Sequence, residues 1–213
     1  MVTQILLPAL GETLIMVLIS TALAVLIGFI PAIIMIITAK DGLKPNEAVY
    51  KILDTIINIL RSFPFIVLMV ILIPVTRFIV GKSIGTPAAI VPLTIGSAPF
   101  VTRIIEAALK EVDKGVVEAA KSFGASISQI IFKVMLPEAL PSIVSGITLT
   151  VISVVGFSAM AGAIGAGGLG YVAIRYGYHM FRNDVLIATV IVLVVLVQLL
   201  QSIGTLIYKK VNK

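Results

Sequence analysis

Four long runs without a charged residue, at positions 14–37, 83–102, 139–174 and 185–208, set the terms on which this chain can fold. A helix needs about 20 apolar residues to cross a bilayer core, and each run is long enough. Hydrophobic residues make up 59% of the chain and charged residues 12%. A soluble domain carries about 25% charged residues, because water must wet its surface. Hydrocarbon is therefore the solvent for most of this chain. Backbone polar groups in hydrocarbon must be satisfied within their own segment, so the expected fold class is an all-α integral membrane protein.

The spans are placed between the charges. The first helix is expected over about 13–38, with Pro31 near its end. Residues 62–76 are too short a run to cross alone. The second helix is therefore extended to about 56–80, which brings Arg61 or Arg77 to a helix end, where a long cation snorkels. The third is expected over about 84–106 and the last over about 185–208. The 139–174 run is too long for one crossing and too short for two with a turn. It reads as a helix over about 140–160 followed by irregular Gly/Ala-rich backbone, which membrane depth tolerates only under cover of protein or a watery cavity. The expected whole is one domain, 1–213, with five transmembrane helices.

Five crossings put the termini on opposite sides. Lys40, Lys44, Lys51, Lys110, Lys114, Lys121, Lys133, Lys209, Lys210 and Lys213 fall on one side; Arg77, Lys82, Arg175 and Arg182 fall on the other. The positive-inside rule places the first set in the cytoplasm, hence N-terminus outside and C-terminus inside. The net charge of +6 then reads as topological, and no nucleic-acid partner is expected. No cleaved signal peptide is expected either, because no basic segment precedes the first run and that run is too long for a signal's apolar region.

The cytoplasmic segment 109–138 is longer than two joined helices require. Asp113 is placed to cap a short helix over 116–123, and Gly124 sits where a left-handed residue ends a helix. Ser126 and Gln129 have the spacing of a capping box that opens a second helix, which Pro137 is expected to end. Ala120, Phe123, Ile127, Ile130 and Val134 follow a helical period, predicting a helix–turn–helix with one face committed to packing. Periodicity alone favours an amphipathic element resting on lipid over a docking element for a cytoplasmic partner.

The residues of that segment decide between these. Glu118-Ala119-Ala120, then Gly124, then Val134-Met135-Leu136-Pro137 resemble the EAA motif of ABC importer permeases, with Val134 where the motif has Ile. Arg61-Ser62-Phe63-Pro64-Phe65, Pro92-Leu93-Thr94, Ala98-Pro99-Phe100, Leu136-Pro137-Glu138-Ala139-Leu140-Pro141 and residues 156–170 are similar to the methionine-importer permeases, the MetI family, and the similarity covers essentially the whole chain. The resemblance implies the transmembrane subunit of an ATP-driven importer that takes up methionine by alternating access in the bacterial cell membrane. It implies a second copy of the chain, two ATP-binding cassette subunits that hold ATP and Mg, and an external substrate-binding lipoprotein. Glu118, Ala119, Ala120 and Gly124 would form the ATPase-coupling interface. Met160, Ser158 and Ser97 would belong to the translocation pathway or its gate.

Other signals fail their context. Gly165-Ala166-Gly167-Gly168-Leu169-Gly170 matches a dinucleotide fingerprint but follows a membrane helix rather than a strand, so close helix packing is expected there. Gly81-Lys82-Ser83 ends like a P-loop, yet Thr76 occupies the first required glycine. With no Cys and only His179, no metal site or thiol nucleophile is expected, and ATP hydrolysis must belong to another subunit. Asp54 and Arg61 lie two helical turns apart, too far to pair directly. Tyr171, Tyr176, Tyr178 and Phe181 read as an aromatic belt or as a contact for the external binding protein. Two alternatives stay open: an ABC permease for another amino acid or small solute, and a stand-alone secondary transporter, which would need mid-membrane acids.

Overall fold

A computed structural model describes residues 2–212, and the described residues are helical with short connections. Lys213, counted above among the tail cations, lies outside them. Helix α1 (Val2–Thr38) begins well before residue 13 and runs through Pro8 and Pro31. After a turn, Asn46 caps α2 (Glu47–Ser62) by accepting from the Val49 N–H at 3.2 Å.

The second expected span, about 56–80, is not one helix. Pro64 offers no N–H and forces the preceding residue out of helical geometry; Phe63 is extended, with φ −72° and ψ 129°. The chain bends by 101° between α2 and α3 (Phe65–Ile71). It then turns at Leu72 into α4 (Ile73–Val80), where Pro74 occupies the first turn, and stops at Gly81, φ 78°. Among the described residues four helices are long and apolar enough to cross a membrane, five if the bent α2–α3 pair is one broken span.

Helix α5 (Thr86–Lys110) is the most buried of the candidate spans. It packs along α1, where Gly28 permits the contact: a Cβ there would lie 2.7 Å from the Ala98 carbonyl oxygen. Thr102 fastens the same place by donating to the Gly28 and Ala98 carbonyls at 3.1 and 3.0 Å. Helix α6 (Lys114–Ser122) follows. Then α7 (Ile127–Gln129), a π-helical stretch (Ile130–Met135) and α8 (Leu136–Ala163) form one continuous helix. Pro137 therefore does not end the second loop helix. The Leu136 N–H bonds to the Ile131 carbonyl, one residue beyond α-register, and this wider turn moves the upstream carbonyls away from the proline ring. Helix α9 (Gly168–Val172), a second π-helical stretch (Ala173–His179) and α10 (Asn183–Val211) complete the chain.

The irregular backbone expected after residue 160 is confined to 164–167. The glycines on either side of it serve close packing, as expected. A Cβ on Gly162 would lie 2.3 Å from the Tyr171 nitrogen, and one on Gly170 would lie 2.4 Å from the Ala159 Cα. Glu12 and Thr13 of α1 receive the free N–H groups at the start of α9: Gly168 donates to Glu12 Oε2 at 2.6 Å, Leu169 to Thr13 Oγ1 at 2.9 Å. Large apolar side chains on α10, among them Ile187, Ile191, Leu199 and Leu206, remain exposed, as a lipid-facing surface requires.

Candidate coupling loop and pathway residues

The loop after α5 is built by three local devices. Asp113 Oδ1 accepts from the Val116 N–H at 3.2 Å and opens α6. Gly124, at φ 74°, takes the left-handed conformation that costs glycine least, and the Ala125 N–H reaches back to the Ala120 carbonyl at 3.1 Å. The capping box is complete, with Gln129 N–H donating to Ser126 Oγ at 3.3 Å and Ser126 N–H donating to Gln129 Oε1 at 2.8 Å. The turn is thus held open by its own side chains.

The packing differs from the expected single face. Ile130, Ile131 and Met135 are buried in the core that α1 and α5 build, but α6 has no fully buried residue and Phe123 is 91% exposed. Val117 and Ala120 rest against that core, while Glu118, Ala119 and Gly124 are exposed. A cavity of about 290 Å³ opens between α6 and the first loop, lined by Asp41, Leu43, Leu109, Lys114, Glu118 and Met135 among others. Lys114 Nζ donates to Asp41 at 3.1 Å across its mouth, and this bond holds the Asp41 carboxyl below its ordinary range.

The three pathway candidates part company. Met160 is 47% exposed near the end of α8. Ser158 is buried and donates to the Val155 carbonyl of its own helix at 2.7 Å, a back-bond common to helical serines. Ser97 is buried too, yet its hydroxyl, like those of Thr94 and Thr21, has no partner among the described residues. At the end of the second π-helical stretch, Tyr178 and Phe181 are exposed, and Phe181 is held at φ 52°.

A charged cluster between α2 and α5 was not read from the sequence. Glu106, buried on α5, accepts from Tyr50 Oη at 2.8 Å, Arg103 Nη1 at 2.7 Å and Lys110 Nζ at 2.7 Å. Arg103 also bonds Asp54 and, at 3.0 Å, Asn58. The i, i+3, i+7 spacing of Arg103, Glu106 and Lys110 carried that signal; the partners on α2 did not announce themselves. Asp54 and Arg61 do not pair, as expected.

Residues 24–213 match the family of binding-protein-dependent transport system inner membrane components. The chain is 51% identical over 210 residues to the probable D-methionine transport system permease protein MetI of Vibrio cholerae, covering 99% of this chain and 93% of that one. It is a member of the methionine ABC transporter permease family. To another such permease, the methionine import system protein MetP of Bacillus subtilis, it is 46% identical over 180 residues, 84% of this chain and 81% of that one. A permease chain in the inward-facing MetNI methionine ABC transporter superposes with a TM-score of 0.97 at 44% identity, covering 99% of this chain and 98% of that one. A more distant amino acid ABC transporter at 23% identity shares the fold, with a TM-score of 0.80. Membership of this permease family makes the chain a multi-pass protein of the inner membrane.

Proposed function

We propose that this chain is the transmembrane permease subunit of an ATP-driven importer that takes up methionine by alternating access. The observation that carries the reading is the near-complete match, in sequence and in fold, to permeases named for methionine transport and to the permease of the MetNI transporter. Chemistry is divided among subunits. ATP and Mg sit on a separate ATPase, an external lipoprotein delivers substrate, and two copies of this chain enclose the pathway.

In this reading the single domain lies in the membrane with its N-terminus outside and its C-terminus in the cytoplasm, the arrangement the Lys/Arg distribution favours. The loop over 109–138 then faces the ATPase. Glu118, exposed on α6, pairs with a basic residue opposite. Ala119 and Ala120 admit close approach, and Gly124 fixes the angle at which α6 is presented. Exposed Phe123 adds an apolar contact beside them. Met160 is the pathway residue best placed to meet cargo. Ser158 and Ser97 are buried behind the helix surfaces and act on the pathway only if the helices rotate.

The test is reconstitution of the chain with its ATPase and binding protein in liposomes, following ATP-dependent uptake of labelled methionine against a panel of amino acids. Methionine-selective, ATP-dependent uptake is expected. Uptake of another solute would keep the machine and change its cargo, and uptake driven by an ion gradient without the ATPase would overturn the reading.

A further inference from the structure

Ionisable side chains in apolar segments of a membrane protein are costly and are usually paired or functional. On the wall that α2 and α5 form together, Asp54, Arg103, Glu106 and Lys110 are bound to one another, two acids against two bases. Arg61 stands apart. It sits in the last turn of α2 among Ile56, Ile57, Ile59, Leu60 and Phe63, it is exposed, and among the described residues no carboxylate pairs with it. Its one described contact is the face of the Phe100 ring, 5.2 Å from the guanidinium carbon to the ring centroid.

The register of α2 places this group. Tyr50 meets Glu106 and Asp54 meets Arg103, so α2 climbs α5 away from Lys110 until Arg61 reaches Phe100. There the chain breaks at Phe63 and Pro64, and α3 turns inward, with Phe65 stacked on Phe157 of α8 at 4.4 Å. Beside Arg61, Thr55, Asn58, Ile59, Ser62 and Phe63 of the last two turns of α2 and its end line an open hollow of about 400 Å³. The helix C-terminus favours a cation at this position but supplies no partner for its N–H donors. A guanidinium held over an aromatic ring spends none of its N–H donors on it, and those donors match a carboxylate with two parallel hydrogen bonds.

We infer that Arg61, backed by Phe100, receives the carboxylate of the amino acid cargo on the α2–α5 wall of the pathway and so makes the permease itself selective for a free acid. The assignment rests on the importer reading above. Cargo that reaches this turn meets one uncancelled positive charge, and an amide or alcohol in place of the carboxylate forfeits the bidentate bond.

The experiment uses the complete transporter in proteoliposomes with one binding protein throughout, comparing wild type, Arg61→Gln and Arg61→Lys. The readout is the ratio of uptake per ATP hydrolysed for methionine over its carboxamide. The expected result is a ratio at least tenfold lower in Arg61→Gln, partly recovered in Arg61→Lys, which keeps the charge and loses the planar fork. If Arg61→Gln does not assemble, the Lys variant alone decides, because it must still lower the ratio. An unchanged ratio overturns the inference, whatever happens to total uptake. An unchanged ratio with loss of a co-purifying phospholipid would also overturn it and reassign Arg61 to a lipid phosphate. Failure of the wild type to import methionine with ATP would instead remove the importer reading, a distinguishable result.

Discussion

At Gly162 and Gly170 the backbones of α8 and α9 approach so closely that a single methyl group meets main-chain atoms, which cannot swing aside. Gly162→Ala or Gly170→Ala should therefore cost on the order of 1–3 kcal/mol, the range for overpacking. It is read as a lower melting temperature of the purified protein in detergent. Gly11→Ala, where nothing lies within 4 Å, should be neutral or mildly stabilising by the helix preference for alanine. Both glycines belong to the Gly/Ala-rich stretch whose composition already pointed to close packing. The partner of Gly168 could not be read the same way, because Glu12 lies 156 residues away and no local pattern links them. The three orphan hydroxyls of Thr21, Thr94 and Ser97 were equally hidden. Sequence can nominate a serine for a pathway, but burial and bonding separate Ser158, tied to its own helix, from Ser97, tied to nothing described.

Among the elements, the two-helix loop carried the plainest local grammar. Asp113, Gly124 and the Ser126–Gln129 box act within a few residues of themselves, and local hydrogen bonding was enough to place them. The break in α2–α3 and the passage through Pro137 were misjudged, because a proline's effect depends on the register of the turn before it. Glu118→Lys or Gly124→Pro should abolish ATP-coupled uptake while the permease still inserts, checked by uptake beside membrane fractionation. Normal uptake in either would sink the coupling assignment. Between α2 and α5, Glu106→Gln strips a buried carboxylate from Arg103 and Lys110. Breaking such a group typically costs about 3–5 kcal/mol, again measured by thermal unfolding. The Asp41–Lys114 tie has a defined pH behaviour. The folded carboxyl titrates lower than the unfolded one, so the tie persists above the ordinary aspartate range and is lost as pH falls through the depressed value. Over about pH 5 to 8, ATP hydrolysis by the assembled complex should follow parallel profiles in wild type and Asp41→Asn.

For the whole molecule, the charge-free runs were sufficient for an all-helical membrane protein with four long apolar helices, because the bilayer imposes its length on every helix. The burial ranking of those helices was not legible: α5 sits at the centre and α10 at the rim, and both are apolar. Met160 belongs to this scale, since in the assembly proposed above a gate is defined only by two copies together. Met160→Ala should alter uptake or passive leak without loosening the ATPase, followed by tracer flux and by co-purification; an unchanged flux would return it to packing. The helix that begins beside the capping box and ends beyond Met160 has a mechanical consequence. From Ile127 to Met160 it spans about 50 Å at 1.5 Å per residue, with no hinge loop between. A tilt of about 10° imposed at its foot swings its far end by roughly 9 Å. The far half of such a strut cannot idle while its foot moves, and the π turn near the foot, with Pro137 and Pro141 just beyond it, is where stroke can be absorbed as winding or bending.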